Sequence, residues 1–576
     1  MVDISALTKL SKALNEIRFT FTQPEFTQAD SERSRIVHKL DNHVLPRLRN
    51  IEAPLICVVA GSTGAGKSTL VNSLLETEVA TASPVRPTTR RPLLIHAAAD
   101  QDWFAVGSPL LPQLAKVQVA LDAPPTAAEV GSHQELEVRS STVLPAGLAL
   151  LDAPDFDSLV AENRELSRKL LDVADMWVFV TTATRYADAV PWEILREAKK
   201  RNLTLAVVLN RTPEESSALV SEDLSQLLTE AGLEKLPLWV LPETKLENGR
   251  IPFQLVEPLS NWLRDYTESS QLRIATAMRA LLGTVRVLAN DTHAVRRTIS
   301  FQNELLEDSQ QTVNQQLEQA ITRVKEASAD GSLLKGEVLA RWQELVGVSE
   351  LTKAIEKGFT LFKYRVRNFF GSQKPQLEAI EVALESGLAT IISTELFTAY
   401  RRVRADWKTN PYLQDLETEI AELATEDIQT KAQNLTLVWQ QKLLEMISLE
   451  GGSRRTTAKI MAAGVNLLGV ALMIVVFAST GGLTGAEVGV AGVTSIFAQK
   501  LLEVIFGEQA VKTMTKRAHT QLVELVKEFY SEEFAKLRGQ LPPLTDTKEL
   551  TEAIFSTERT VRELEHEIRT RLGEKL

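Results

Sequence analysis

The chain has 576 residues, 24% charged and 44% hydrophobic, with a formal net charge of -11, seven histidines and one cysteine. That length predicts two or three domains rather than one core, and the acidic balance excludes a general nucleic-acid binder, which carries a basic surplus. The single Cys57 excludes an intrachain disulfide framework, and histidines scattered without an HExxH or Cys/His cluster argue against a protein-ligated zinc site.

The N-terminal stretch MVDISALTKLSKALNE has no basic region followed by a long apolar run, so no secretory signal is expected. Residues 1–50 read as helix in two pieces, broken near Pro24. From 51 to 265 short apolar runs (PLICVVAG, PLLIHA, GLALLDAP, MWVFVTTA, LTLAVVLN, LPLWVLP) alternate with amphipathic helical stretches. This alternation predicts an α/β domain with a mainly parallel sheet. Beyond 266 the strand signals stop. Leu306, Val313, Leu317, Ile321 and Val324 recur at helical spacing, as do Val561, Leu564, Ile568 and Leu572 near the C-terminus. Such stripes predict core packing in a helical bundle, with breaks at 329–332, 371–375 and 408–412.

The run VVAGSTGAGKSTLVNSLL carries G-x-x-x-x-G-K-[ST] from Gly61 to Ser68, directly after a strand pattern and directly before a helix pattern. That context defines a phosphate-binding loop. Gly61, Ser62, Thr63, Gly64, Ala65, Gly66, Lys67, Ser68 and Thr69 are the predicted nucleotide contacts. Backbone N–H groups and the helix N-terminus face the phosphates. Lys67 reaches the β- and γ-phosphates, and the Ser68 hydroxyl ligates Mg²⁺. Asp152 ends the apolar strand LALLD and is followed by Ala153, without the adjacent Glu or the LSGGQ signature of ABC-type ATPases.

The stretch VRPTTRRPLLIH, with TRRPL at Thr89 to Leu93, strongly resembles the switch I sequence of dynamin-family GTPases. LLDAPDFDS resembles the D-x-x-G switch of GTPases, with Asp155 at the glycine position. The resemblance implies GTP as substrate and GDP as product. It implies Mg²⁺ held by Ser68, Thr89 and, through water, Asp152, and catalytic roles for Lys67, Thr89 and Thr63. Arg90 and Arg91 read either as exposed loop charges or as switch-stabilising residues that contact a facing G domain. For base recognition, Asn210 and Arg211 occupy the first two positions of Asn-Lys-x-Asp, and the Arg211 stem can lie over a purine. Pro213 stands where the guanine-binding Asp belongs, and Glu214 comes one residue late. The loop LPETKLENG (241–249) is a candidate flank for base and ribose. Eukaryotic dynamins have Gln and Ser where this chain has Thr63 and Gly64, which predicts slow hydrolysis.

The order of parts resembles that of a bacterial dynamin-like protein. N-terminal helices (1–50) pack with a stalk, a P-loop GTPase domain of the α/β class follows (51–265), then a helical neck or stalk (266–450). An apolar membrane hairpin (451–510) and C-terminal helices (511–576) returning to the stalk complete it. The run IMAAGVNLLGVALMIVVFAST (460–480) carries no charge. As a helix it rises about 31 Å, near the hydrocarbon thickness of a bilayer. Leu467, Leu468, Val470, Leu472, Ile474, Val475 and Phe477 are its membrane-contacting candidates. Arg454, Arg455 and Lys459 precede it and Lys500, Lys512, Lys516 and Arg517 follow. Basic residues on both sides favour two cytoplasmic ends and hence a hairpin; a buried apolar pair and a single crossing are the alternatives. Gly481, Gly485 and Gly489 suit close helix approach. The basic-aromatic stretch 357–375 reads as a bundle helix with a solvated face or as a lipid-surface helix. The expected protein is a GTPase at the cytoplasmic face of the cell membrane that self-associates through G domains or stalk and remodels the bilayer. A membrane-anchored signalling GTPase and a scaffold with little turnover are the competing readings.

Overall fold

The computed structural model describes residues 4–80, 91–121, 123, 135–154, 166, 169–329, 374–414, 416, 425–450, 471, 474, 502–503 and 506–572. The chain divides into two units, Met1–Gln302 with Thr545–Leu576, and Asn303–Leu544.

In the first unit, eight strands form one sheet: β1 (Leu55–Gly61), β2 (Leu93–Ala97), β3 (Ala115–Gln118), β4 (Glu135–Ser141), β5 (Leu148–Asp152), β6 (Met176–Thr182), β7 (Thr204–Thr212) and β8 (Leu238–Pro242). Their order is β3-β4-β2-β5-β1-β6-β7-β8. Every neighbouring pair is parallel except β2 with β5, as the alternating pattern predicts. The central strands are continuous apolar runs because helices cover both faces. Along β1, Ile56, Val58 and Ala60 enter one core while Leu55, Cys57 and Val59 enter the other, the period-two alternation of a strand.

The apolar-run reading does not find β3 and β4. The sequence of β4, ELEVRSS, places charges inside the sheet, where Glu137 and Arg139 are buried and paired at 2.5 Å. Arg139 also donates to the carbonyls of Leu121 and Ala123 at 2.9 and 2.7 Å. These partners offset the cost of burying the pair.

Around the sheet lie α4 (Lys67–Leu74), α5 (Ala189–Lys200), α6 (Ser217–Glu230) and α7 (Phe253–Asp265). The N-terminal residues form α1 (Ser5–Glu16), α2 (Pro24–Lys39), a π-helical turn at Leu40–Val44 and α3 (Leu45–Arg49). Pro24 opens α2 at the first helical position, where its missing N–H costs no hydrogen bond. Leu7, Leu10 and Leu14 of α1 share a core with Met278, Leu281 and Val285 of α8 (Ser270–Ala327) and with Leu550, Ile554, Leu564 and Ile568 of α12 (Lys548–Leu572). A bidentate pair joins α3 to the sheet. Arg47 donates to both carboxylate oxygens of Asp175 at 3.2 and 3.0 Å, and the Asp175 carboxylate also accepts the N–H of Ile56 at 2.9 Å.

The second unit contains α8 from Asn303 onward, α9 (Lys374–Thr409), α10 (Thr425–Glu450) and α11 (Glu508–Arg538). Leu306, Val313, Leu317, Ile321 and Val324 are all buried, the face that their spacing predicts. Polar contacts fix the register of the bundle. The Tyr530 hydroxyl donates to the Ile392 carbonyl at 2.6 Å and the Trp439 indole to the Ala518 carbonyl at 2.9 Å. The buried Glu533 takes Lys431 and Lys536. Among the described residues, Val382–Thr409 is long and apolar enough to cross a membrane, with a mean hydropathy of 1.2. Its Leu384, Leu388, Ile392, Leu396, Val403 and Trp407 are buried, which is bundle packing.

Of the predicted membrane residues only Ile474 is described; it is helical and buried. Leu467, Leu468, Val470, Leu472, Val475 and Phe477 lie outside the described residues. So do Thr89, Arg90, Asp155, the three spaced glycines and residues 357–373.

Candidate functional site

The phosphate-loop motif sits where the centre of the sheet ends. Gly61 closes β1 between β5 and β6. A Cβ at Gly61 would lie 2.0 Å from the Val180 carbonyl oxygen, so only glycine lets the chain turn there. Gly64 and Gly66 adopt φ of +79° and +90°, which other residues reach only with strain. Gly66 then caps α4, which begins at Lys67. The buried Lys67 donates from Nζ to the Gly61 and Ser62 carbonyls, both at 3.1 Å. The ammonium therefore lies inside the curl of the loop.

Ser68 and Asp152 meet at the same sheet end. Ser68 Oγ donates to Asp152 Oδ2 at 2.8 Å. Asp152 is the last residue of β5 and is registered on both sides, against Val59 of β1 and Leu93 of β2. A hydroxyl and a carboxylate at this distance are the hard oxygen donors that Mg²⁺ prefers, so the residues present fit that ion.

The loop is closed on its far side by β7. Asn210 Nδ2 donates to the Ala65 carbonyl at 2.8 Å, and Asn210 Oδ1 accepts the Arg211 N–H at 3.0 Å. The register of β7 shifts between Leu209 and Thr212, and Arg211 takes a positive φ of 52°. This bulge leaves Arg211 exposed, with Nε 3.8 Å from the position of a Cβ on Gly66. Pro213 and Glu214 are exposed beyond it. The Glu243 N–H donates to the Thr212 carbonyl at 2.9 Å, which brings the 241–249 loop beside the end of β7.

Two features escaped the sequence reading. Asn72 of α4 is buried, with its Oδ1 accepting the N–H groups of Val79 and Ala80 at 2.9 and 2.8 Å and its Nδ2 donating to the Ala80 carbonyl at 2.7 Å. Arg91 pairs with Glu135, Nε to Oε2 2.6 Å, with only 14% of the Arg91 side chain exposed. Arg91 is therefore held within its own domain and is not an exposed loop charge. Asparagine in a helix and glutamate at a strand start carry no local signal of such roles. Cys57, buried in β1, has its thiol pushed up by burial and then by the Asp175 charge, which leaves it inert.

A glycine-rich loop between a central parallel strand and a helix, a Ser–Asp pair at its mouth and an Asn clamped on its back define a P-loop nucleotide-binding domain of the GTPase class. Residues 57–212 match the dynamin family model. No curated protein matches the chain. Among solved structures it is similar to an oligomerised bacterial dynamin pair that provides a mechanism for long-range sensing and tethering of membranes. That match has 12% identity over 98% of this chain and 95% of that one, with a TM-score of 0.45. It is also similar to LeoA, a bacterial dynamin GTPase from ETEC, at 13% identity over 98% and 93% of the two chains with a TM-score of 0.24. Era of Aquifex aeolicus bound to GDP.AlF4- matches at 20% identity over 36% of this chain and 56% of that one, TM-score 0.23.

Proposed function

We propose that the protein hydrolyses GTP with Mg²⁺ and couples that cycle to binding and remodelling a lipid bilayer. The observation that carries the nucleotide part is the convergence of Lys67, Ser68, Asp152 and Asn210 on one loop at the end of the sheet. In this reading Gly61 to Thr69 wrap the phosphates. Lys67 Nζ exchanges its two loop carbonyls for phosphate oxygens. Ser68 and, through water, Asp152 would hold the ion, and Thr89 and Thr63 would position the attacking water. Held by these residues, Mg²⁺ would supply positive charge to offset the negative charge of the transferring phosphoryl group.

Asn210 braces the loop from behind while the Arg211 stem covers the purine. Pro213 supplies no acceptor for the guanine N–H groups, so GTP is preferred over ATP by a smaller margin than a full Asn-Lys-x-Asp motif provides. The uncharged run 460–480 and its basic flanks are the membrane foot, entering from the cytoplasmic face, and copies of the protein associate through G domains or helices.

A phosphate-release assay with GTP and with ATP, with and without anionic liposomes, tests the proposal. GTP turnover that Lys67→Ala abolishes is expected, together with liposome tubulation or fusion. Clear ATP preference, or turnover unchanged in the variant, overturns it.

A further inference from the structure

Pro213 leaves the fourth position of Asn-Lys-x-Asp without a carboxylate, and the neighbouring strand brings one beside it. The bulge at Arg211 sets Thr212 in register with Pro242 of β8, and the Glu243 N–H donates to the Thr212 carbonyl at 2.9 Å. Glu243 is thus the first residue beyond β8, as Pro213 is the first beyond β7, and neighbouring strands run about 4.8 Å apart. Glu243 is exposed, and its carboxylate makes no hydrogen bond or ion pair with any described residue. The loop that it opens is fixed at both ends. Glu247 and Arg250 exchange backbone hydrogen bonds at 2.8 and 3.0 Å, and the Ile251 N–H donates to Ser73 Oγ at 2.9 Å. Ser73 belongs to α4, the helix that begins at Lys67. One end of the loop is therefore tied to the strand that carries Asn210, and the other to the helix of the phosphate loop.

We infer that Glu243 is a specificity-determining residue whose carboxylate accepts the N1–H and 2-amino groups of guanine in place of the Asp missing at 213. The inference rests on the GTPase reading above. Guanine presents two donors on this edge. Adenine presents a bare ring nitrogen at N1 and no amino group at C2, so a carboxylate there gains nothing and repels the N1 lone pair. Glutamate is one methylene longer than aspartate, which suits an acceptor that starts from the adjacent strand. Glu214 is also exposed, but it lies in the short helical turn Glu214–Ser216, which the Ser216 N–H closes on the Pro213 carbonyl at 3.1 Å, and no strand partner stands beside it. An exposed carboxylate also exchanges its partners with water, so it discriminates less than a buried one. That agrees with the narrower GTP margin proposed above.

The test is competition of GDP, ADP and xanthosine diphosphate against a fluorescent nucleotide on the full chain, as wild type, Glu243→Gln and Glu214→Gln. Xanthine carries a C2 carbonyl where guanine has its 2-amino group. Glu243→Gln should weaken GDP by about tenfold and leave ADP within about twofold. It should tighten xanthosine diphosphate by about tenfold, because the amide N–H meets the C2 carbonyl while the amide oxygen still takes N1–H. Thermal melts should match wild type, since the side chain is exposed. GDP affinity unchanged, GDP and ADP weakened in parallel, no gain for xanthosine diphosphate, or a larger GDP loss in Glu214→Gln overturns the inference. Wild type that prefers ADP to GDP overturns the GTPase reading as well. Wild type that prefers GDP, with Glu243→Gln preferring it equally, overturns the inference alone.

Discussion

Ser68 Oγ lies 2.8 Å from Asp152 Oδ2, although the two residues are 84 apart in sequence. The hydroxyl belongs to the first turn of α4 and the carboxylate to the last position of β5. Both stand at the same end of the sheet because β5 neighbours β1 and runs parallel to it. Ser68→Ala removes one of the two oxygens offered to Mg²⁺. Mg²⁺-dependent GTP hydrolysis should fall by about 100-fold, while GDP binding measured in EDTA changes little. Equal loss of both would mean that the pair is structural only.

Gly66→Ala places a Cβ 2.4 Å from Asn210 Nδ2 at a backbone φ of +90°. The Asn210 bond to Ala65 must yield or the loop must unwind. Denaturation should show a loss of about 1–3 kcal/mol, with nucleotide affinity falling beyond detection by fluorescent-analogue titration.

Arg47 and Asp175 are both almost fully buried, at 3% and 1% side-chain exposure. Arg47→Ala strands the Asp175 carboxylate away from water, and urea denaturation should show a loss of about 3–5 kcal/mol. Arg47→Met with Asp175→Leu should recover part of it. A single variant as stable as wild type would show that water reaches the carboxylate.

His43 lies on the π-helical turn after α2. Burial first, then the charges of Arg201, Arg47 and Lys39, hold its pKa down from 6.5 to about 3. Below pH 6.5 the unfolded chain takes up a proton at this site while the folded protein does not. Stability is therefore complete above pH 6.5 and is lost as pH falls toward 3. His43→Gln should flatten this part of the pH–stability profile measured by thermal melts. A slope unchanged by the substitution would assign acid sensitivity elsewhere.

Leu468→Asp together with Ile474→Asp tests the membrane foot. Each carboxylate costs about 2.5–3.5 kcal/mol at the centre of an inserted helix, so the variant should stay at the bottom of a liposome flotation gradient. GTP hydrolysis without liposomes should match wild type. A folded, active variant that still floats would refute membrane insertion through this run. A variant that melts early would instead identify the run as buried protein core.

The phosphate loop was legible because its determinants are local: glycines that turn the chain, a strand run before them and a helix after them, all within one stretch of sequence. The parallel sheet and the helical stripes were legible for a similar reason, since strand and helix periods are written in consecutive residues. β4 was not, because its Glu137 and Arg139 look solvated until the carbonyls of Leu121 and Ala123 are brought to them. The meeting of Ser68 with Asp152, the pairing of Arg91 with Glu135 and the clamp of Asn210 on Ala65 were decided by strand order and register. A strand's sequence states that it pairs, but which neighbour it takes depends on how the whole sheet buries its two faces, and these contacts exist only once that choice is made.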